Sequence, residues 1–231
     1  MSNKQSFFVT GTDTDAGKTF FSTGLLAAAK RRNKRTIGLK PVAAGAIDVD
    51  GKWYNEDALS LMEQTTVKLS YEQINPILLK AAIAPHIAAA QEGKNISADR
   101  LAGFVKGALL APYDLAVIEG AGGWRVPIND REMLSDLAKS LNFPIIMVVN
   151  MKLGCINHAL LTAEVIRKDG LTIAGWVANF AEDMDCYTEN VQTLTRYLPM
   201  PLLGEIIRYQ CTEDSLLTFD NILLKLIGRV N

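Results

Sequence analysis

Cysteine is scarce in this sequence, which contains three among its 231 residues, at Cys155, Cys186 and Cys211. They lie far apart without the short spacing of metal ligands, and no Cys-His-acid arrangement accompanies them, so neither a metal site nor a catalytic thiol is indicated. The two histidines, His86 and His158, have no evident acidic or metal-ligating partner, and we interpret both as structural. Thiols of this kind are typical of reducing compartments, and we expect a cytoplasmic protein.

An excess of charge of one sign is also missing. The sequence has 24 lysines and arginines against 25 aspartates and glutamates, which gives a net charge of −1. Without a basic tail or stripe, nothing indicates binding to nucleic acid or to an acidic membrane surface. No apolar run approaches the ~18 residues of a membrane span. A strand pattern begins almost at the N-terminus, so we expect no signal peptide.

The sequence has ample material for a core, because 48% of its residues are hydrophobic. Its length suits a single domain spanning 1–231. Short apolar runs alternate with amphipathic segments, which predicts a doubly wound α/β domain with a mostly parallel sheet and helices on both faces. The predicted strands are 7–10, 36–40, 115–119, 145–150, 171–179 and 202–206, and the predicted helices are 20–30, 97–111, 134–142, 156–169 and 186–197.

Segment 11–19, GTDTDAGKT, fits the phosphate-binding pattern G-x-x-x-x-G-K-[ST]. It lies between a predicted strand and a predicted helix, so that backbone N–H groups and the helix N-terminus would face a phosphate. Lys18 adds a positive charge at the β- and γ-phosphates, and the Thr19 hydroxyl is placed to ligate Mg²⁺. The sequence therefore predicts binding of ATP or GTP.

Polar residues end several of the predicted strands, and ligands of open α/β sheets bind outside the carboxyl ends of the strands. We therefore expect these residues to converge on one cleft. They are Thr10 through Thr19, Lys40, Glu119, Asn150 and Asn179.

Several of the polar candidates have alternative interpretations. Lys40 is either a solvated strand end or a second lysine at the transferred phosphate. Asp57 is either a helix cap or, with Glu119, a carboxylate ligand of Mg²⁺, and spacing does not separate it from the neighbouring Glu56. Asn179 hydrogen-bonds either an adenine edge or the backbone of a turn.

Two further loops carry binding signals. The turn 120–123 is rich in glycine, which lets a backbone approach a ligand closely. Segment 152–159, KLGCINHA, reads as a loop followed by a helix, and the N-terminus of that helix is suited to a carboxylate or another anion.

Together these segments resemble the dethiobiotin synthetases, the ATP-dependent enzymes that close the ureido ring in biotin biosynthesis. The resemblance runs through nearly the whole chain and rests on segments 11–19, 40–42, 55–59, 85–86, 119–123, 152–159, 175–179 and 201–206. It implies a P-loop NTPase-like fold and a cyclo-ligase that forms C–N bonds from 7,8-diaminopelargonic acid, CO₂ and ATP, with Mg²⁺ as cofactor. It further implies a carbamic–phosphoric anhydride intermediate and a homodimer with the active site at the interface.

The resemblance also implies roles position by position. Lys40 and Lys18 would be catalytic, and Thr19, Asp57 and Glu119 would ligate Mg²⁺. The implied ATP-binding residues are Asp15, Ala16, Gly17, Lys18, Thr19, Phe20, Glu119, Asn179, Phe180, Ile207, Arg208 and Tyr209. The implied substrate-binding residues are Thr14, Ala44, Gly122, Leu153, Gly154 and Asn157, with loop 153–157 receiving the substrate carboxylate across the dimer interface.

Ala44 departs from the family pattern, which commonly has a hydroxyl residue that hydrogen-bonds the substrate. The lost bond is worth about 1 kcal/mol, and a water, Thr14 or a backbone group is a candidate to replace it. Otherwise the chain is a divergent copy with altered activity.

Two other functions compete with this interpretation. Cobyrinic acid amide synthases resemble the phosphate loop, but they carry a glutamine amidotransferase domain for which 231 residues leave no space. A regulatory P-loop ATPase would need a basic or amphipathic surface for its partner, and the sequence shows none.

Overall fold

The computed structural model describes residues 4–180, 184–207 and 213–228, except for the side chains of Glu213 and Asp214. Within these ranges, no helix has both the length and the apolar character that a membrane crossing requires. The strands are β1 (Gln5–Gly11), β2 (Thr36–Leu39), β3 (Val42–Ala44), β4 (Ile47–Val49), β5 (Lys52–Tyr54), β6 (Ile77–Leu79), β7 (Leu115–Glu119), β8 (Ile145–Asn150), β9 (Ile173–Phe180) and β10 (Leu202–Ile207). The helices are α1 (Lys18–Arg31), α2 (Glu56–Gln64), α3 (Tyr71–Ile74), α4 (Pro85–Gln91), α5 (Ala98–Ala108), α6 (Leu134–Leu141), α7 (Cys155–Lys168), α8 (Tyr187–Tyr197) and α9 (Glu213–Ile227).

Six strands form one sheet in the order β10-β9-β8-β1-β7-β2, and every neighbouring pair is parallel. The register pairs Val9 of β1 with Glu119 of β7, and Leu39 of β2 with Ile118 of β7. The carboxyl ends of these three strands therefore meet at one edge of the sheet. At this edge Glu119 is the last residue of β7, and Lys40 directly follows the last residue of β2. The predicted doubly wound α/β fold is confirmed.

Helices cover both faces of the sheet, which explains why its strands are apolar throughout. On one face α1 and α9 pack together, with the Phe21 and Phe219 rings 6.3 Å apart. A Cβ on Gly24 of α1 would overlap the Phe219 ring, so the two helices approach closely because position 24 has no side chain. On the other face, Leu101 of α5, Leu137 of α6 and other buried side chains form the larger cluster.

Some predicted boundaries were wrong. β9 begins at Ile173 rather than Leu171, and β2 ends at Leu39, so that Lys40 lies just beyond it. Residues 42–44, for which no strand was predicted, form strand β3 and pair in parallel with β6. Each of these strands has three residues, which is too short for an apolar period to be detected.

Candidate active site

The phosphate-binding loop connects β1 to α1 and is curled by two left-handed residues. Asp15 has φ of 56° and Gly17, the N-cap of α1, has φ of 89°. When left-handed residues alternate with residues of negative φ, successive backbone N–H groups point to the inner side of the loop, where they bind anions. Only glycine fits at position 17, because a Cβ there would overlap the amide of Asn179. The loop therefore has the backbone geometry that its sequence motif predicts.

Lys40 lies beside this loop and is nearly inaccessible, with 4% exposure. Its Nζ donates to Glu119 Oε1 at 2.6 Å, to Asp57 Oδ2 at 2.8 Å and to the Gly120 carbonyl at 3.2 Å. The interpretation of Lys40 as a solvated strand end is therefore wrong. The structure instead joins the ends of β2 and β7 to the first turn of α2 through one ammonium group.

The carboxylate partner of Lys40 on α2 is Asp57, whereas the preceding Glu56 is exposed. The alternative role of Asp57 as a helix cap is wrong, because the side chain of Asn55 accepts the capping bond from Ala58 N at 3.2 Å. Because Asn55 caps α2, the helix begins at Glu56, and the carboxylate of Asp57 contacts Lys40. Local spacing did not separate the two acids, and the fold does.

The electrostatics of this cluster keep its charges at neutral pH. Burial alone would lower the pKa of Lys40, but the charges of Glu119 and Asp57 outweigh it and raise that pKa above its usual value. For Asp57, burial alone would raise the pKa. The charge and the hydrogen bond of Lys40 outweigh burial, so that the pKa of Asp57 is lowered. Lys40 is therefore a cation and Asp57 an anion over the physiological range.

Lys18 has a different electrostatic environment. Its Nζ donates to the Asp13 carbonyl at 3.3 Å and has no carboxylate partner at that distance among the described contacts. Burial, followed by repulsion from Lys40, lowers the pKa of Lys18 to about 8. A lysine with this pKa is still mainly protonated at neutral pH, and a phosphate would supply the counter-charge that the chain does not.

Around these groups lies an open cleft of about 700 Å³. It is lined by the phosphate loop and also by residues 82–85, an apolar segment for which no site role was predicted. The predicted site residues that line it are Thr14, Asp15, Gly17, Lys18, Thr19, Phe20, Lys40, Ala44, Asp57 and Gly122. Thr14 and Gly122 face each other, since a Cβ on Gly122 would lie 3.7 Å from Thr14 Oγ1.

The residues predicted to ligate Mg²⁺ are also brought together. Thr19 Oγ1 donates to Glu119 Oε1 at 2.7 Å, and the buried Oε2 of Glu119 has no hydrogen-bond partner. A buried carboxylate oxygen without a partner is a ready cation ligand, and Asp57 offers a second, half-exposed carboxylate. Because the described ranges contain no cluster of three or more His, Cys, Asp or Glu, a cation here would also need the hydroxyl and phosphate oxygens. The donor set fits Mg²⁺.

The adenine-side candidates that the structure describes, Asn179, Phe180 and Ile207, do not line the cleft. Asn179 is buried, and its Nδ2 donates to the Ala16 carbonyl at 3.0 Å, so it braces the phosphate loop from below. Phe180 packs on Tyr187 with ring centroids 4.7 Å apart, and Ile207 is exposed at the end of β10. Arg208 and Tyr209 fall outside the described residues. Of the other strand-end residues, Asn150 contacts the loop through its backbone N–H, which donates to Thr12 Oγ1.

Loop 153–157 is separate from the cleft lining. Gly154 caps α7 with φ of 94°, and the side chains of Leu153 and Asn157 are exposed, that of Leu153 at 96%. Lys152 Nζ pairs with Asp13 Oδ2 at 2.6 Å, which connects this loop to the phosphate loop. The structure thus places the loop beside the phosphate loop without bringing its side chains into the cleft.

Sequence reasoning missed two residues that shape the site. Asn75 is buried, and its Nδ2 donates to the Lys40 carbonyl at 2.6 Å, which fixes the backbone from which Lys40 extends. Arg125 lines the cleft and pairs with Asp169 at 2.7 Å. Asn75 precedes a proline, and this turn signal could have identified it. No local sequence pattern indicates a site role for Arg125.

Known proteins are similar to this chain over most of its length. A family model described as "AAA domain" matches residues 5–210. The ATP-dependent dethiobiotin synthetase BioD of Cellvibrio japonicus is 55% identical over 207 residues, which cover 89% of this chain and 90% of that protein. The protein of the same name from Marinobacter nauticus is 51% identical over 214 residues, 92% of each chain.

Solved structures share the fold of this chain at low sequence identity. The septum site-determining protein MinD from Pyrococcus horikoshii OT3, complexed with Mg-ADP, has a TM-score of 0.59 and 15% identity over 99% of this chain and 96% of that one. A ParA family ATPase from Chlorobium tepidum TLS has a TM-score of 0.53 and 14% identity, covering 99% and 94%. These neighbours identify the fold as P-loop NTPase-like. The sequence relatives identify the family, and the chain belongs to the ATP-dependent dethiobiotin synthetases.

Proposed function

We propose that this enzyme uses ATP to convert 7,8-diaminopelargonic acid and CO₂ to dethiobiotin, the ring-closing step that the sequence motifs imply. The observation that carries the proposal is the position of Lys40, which lines the cleft beside a phosphate-binding loop and pairs with Asp57 of the same cleft and with the buried Glu119. Family membership makes the chain an ATP-dependent ligase of biotin biosynthesis. The whole activity is assigned to a single domain, 1–231.

The chemistry needs charge stabilisation more than covalent help from the protein. One amine of the substrate adds to CO₂ and loses a proton, which gives a carbamate. A carbamate oxygen then takes the γ-phosphoryl group as the bond to ADP breaks, and the second amine attacks the carbonyl carbon and expels phosphate. Lys18 and Lys40 would stabilise negative charge on the phosphoryl and carbamate oxygens. Burial of both lysines supports this role, because charge interactions are stronger where water is excluded.

Thr19, Asp57 and Glu119 would hold Mg²⁺. Bound there, the cation would neutralise charge on the phosphate oxygens of ATP. The unpartnered Oε2 of Glu119 supports this assignment. On the base side, Asn179, Phe180 and Ile207 remain candidates for adenine recognition together with Arg208 and Tyr209.

Recognition of the diamine would involve a second subunit. We assign the substrate carboxylate to loop 153–157, because the N-terminus of the 14-residue helix α7 carries no acidic residue in its first turn and favours an anion. The exposed Leu153 supports an interface there, since a leucine left fully in water is unfavourable. Thr14, Ala44 and Gly122 would contact the substrate within the cleft. If the site is shared, specific activity falls when the enzyme is diluted enough to dissociate.

The test is direct synthesis. Purified protein is incubated with Mg²⁺, ATP, bicarbonate and 7,8-diaminopelargonic acid, and dethiobiotin, ADP and phosphate are quantified by mass spectrometry and a phosphate assay. We expect the three products in equal amounts and little ATP turnover when the diamine or bicarbonate is omitted. ATP hydrolysis that ignores the diamine, without dethiobiotin, would instead favour a regulatory P-loop ATPase.

A further inference from the structure

The ammonium group of Lys40 and the proposed magnesium ion share their partners. Lys40 Nζ lies 2.8 Å from Asp57 Oδ2 and 2.6 Å from Glu119 Oε1, in a position from which water is largely excluded. Asp57 and Glu119 are also the two carboxylates assigned to Mg²⁺. One carboxylate pair therefore has two cationic partners.

The two cations cannot use the same oxygens together. Mg²⁺ binds oxygen at about 2.0–2.1 Å, and Glu119 Oε1 already accepts hydrogen bonds from both Lys40 and Thr19. An ammonium and a divalent cation on one carboxylate oxygen would repel each other strongly in a buried site. Ligation of Mg²⁺ through Oε1 of Glu119 therefore requires Lys40 to move. A cation on the unpartnered Oε2 would still share the single negative charge of that carboxylate with Lys40.

We propose that Lys40 is an exchangeable counter-ion, which pairs with Asp57 and Glu119 until Mg²⁺ arrives and is then released into the cleft. The inference rests on the magnesium site proposed above. A third contact supports the exchange, because Lys40 also donates to the uncharged carbonyl of Gly120. That acceptor stays available when the carboxylates turn to the metal, so the ammonium keeps a partner as it moves.

The exchange solves two problems with one side chain. Glu119 is completely buried, and a buried carboxylate without a cation strongly destabilises a fold. Lys40 supplies that cation. It also becomes free to reach the substrate oxygens only after the metal has bound, so the charge needed for phosphoryl transfer is released when the nucleotide complex is complete.

The first test compares Mn²⁺ binding, followed by the electron paramagnetic resonance of free Mn²⁺, in the parent, Lys40→Met and Lys18→Met. Lys18 is the matched control, since it is a buried cation in the same site whose Nζ donates to a carbonyl instead of a carboxylate. We expect Mn²⁺ to bind Lys40→Met at least ~10-fold more tightly than the parent, because a competing charge has gone. Lys18→Met should change by less than about threefold.

The outcomes separate the exchange from the site itself. Equal tightening in the two variants would reveal a general charge effect and overturn the exchange while leaving the metal site intact. Unchanged affinity in Lys40→Met would also overturn it, because Mg²⁺ would then bind beside Lys40 through other oxygens. If Mn²⁺ binds none of the three proteins, with or without ADP, the magnesium assignment fails and the exchange fails with it.

A second measurement needs no substitution. The parent protein with ADP is treated briefly with acetic anhydride in EDTA or in MgCl₂, and acetylation of each lysine is measured by peptide mass spectrometry. We expect labelling of Lys40 to rise severalfold with Mg²⁺, because its ammonium leaves the carboxylate pair. The exposed Lys34 should label equally in both conditions. Labelling of Lys40 that is unchanged or lower with Mg²⁺ contradicts the exchange, whether or not Lys40→Met folds.

Discussion

Compared with the loop that precedes α7, the phosphate side of the cleft is built much more tightly. Lys40 and Glu119 are buried there and joined at 2.6 Å. Asn75 fixes the backbone of Lys40, and Asn55 caps the helix that carries Asp57. At the α7 loop, Leu153 is almost fully exposed and no side chain caps the helix. The groups assigned to phosphoryl transfer are thus preorganised within one chain, whereas the surface assigned to substrate recognition is left open to a further partner.

The largest expected effect concerns the tightly built side. Lys40→Met and Lys18→Met should each lower turnover by ~10²-fold or more, because each removes charge stabilisation at the transferred group. Steady-state assays with the exposed Lys34→Met variant as a control check this. Near-normal turnover in Lys40→Met would remove it from the chemistry and undo the contrast between the two sides.

A pH series sharpens the difference between the two lysines. The pKa of Lys18 is lowered to about 8, so Lys18 loses its proton as the pH rises through 8. The affinity for ATP should therefore fall about tenfold between pH 7 and pH 9, because the phosphates bind the protonated form. Calorimetry on the parent and on Lys18→Met measures it, and the variant should show no such fall. An equal fall in both proteins would assign the effect to another group.

The two neighbouring acids of α2 offer a matched pair. Asp57→Asn should raise the Mg²⁺ concentration needed for half-maximal activity by about tenfold, because an amide lacks the charge that a hard cation prefers. Glu119→Gln should act in the same direction. Glu56→Gln should leave the requirement unchanged, since this side chain is exposed. A Mg²⁺ titration decides, and equal shifts for positions 56 and 57 would show that the contact with Lys40 does not identify the ligand.

The open side is probed by Asn157. Asn157→Ala should weaken diamine binding by roughly tenfold to a hundredfold, the scale of one hydrogen bond to a charged group, and leave ATP binding almost unchanged. Glu164→Gln, exposed further along α7, is the control. Calorimetry with each ligand separately checks the split. Unaltered diamine affinity in Asn157→Ala would mean that the helix N-terminus does not receive the substrate.

The smallest effect is expected at Ala44. A serine there adds one possible hydrogen bond, so Ala44→Ser should leave diamine binding unchanged or tighten it by up to ~10-fold. Binding of the diamine to the variant and the parent is the measurement. Weaker binding would show that the cleft has been reshaped around alanine.

The parts of the fold that follow a clear period could be predicted from the sequence. All six strands of the main sheet were predicted, and the phosphate-binding loop was identified from its glycines and Lys18. The short pair β3 and β6 was missed because three residues do not reveal a period. The burial of Lys40 was also invisible, since it depends on where Asp57 and Glu119 lie in space, 17 and 79 residues further along the chain.

The site was predicted unevenly for the same reason. Ten of the proposed site residues line the cleft, and all of them except Phe20 and Ala44 belong to continuous motifs. Asn179 belongs to such a motif too, yet its amide is turned under the phosphate loop to the Ala16 carbonyl, an orientation set by tertiary packing. Its assignment to adenine stays a prediction. Arg125 could not have been found, because its partner Asp169 lies 44 residues away.

The close packing of Phe219 on Gly24 has a consequence for how this chain tolerates change. The helix that presents Lys18 and Thr19 to phosphate is seated on the sheet from one side and covered by α9 from the other. A side chain at position 24 would require a smaller residue at position 219, so a substitution of Gly24 depends on the residue at position 219. Helix α9, in the part whose side chains the structure describes, does not line the cleft, yet we expect its loss to weaken phosphate binding, because α1, which carries Lys18 and Thr19, would lose its cover.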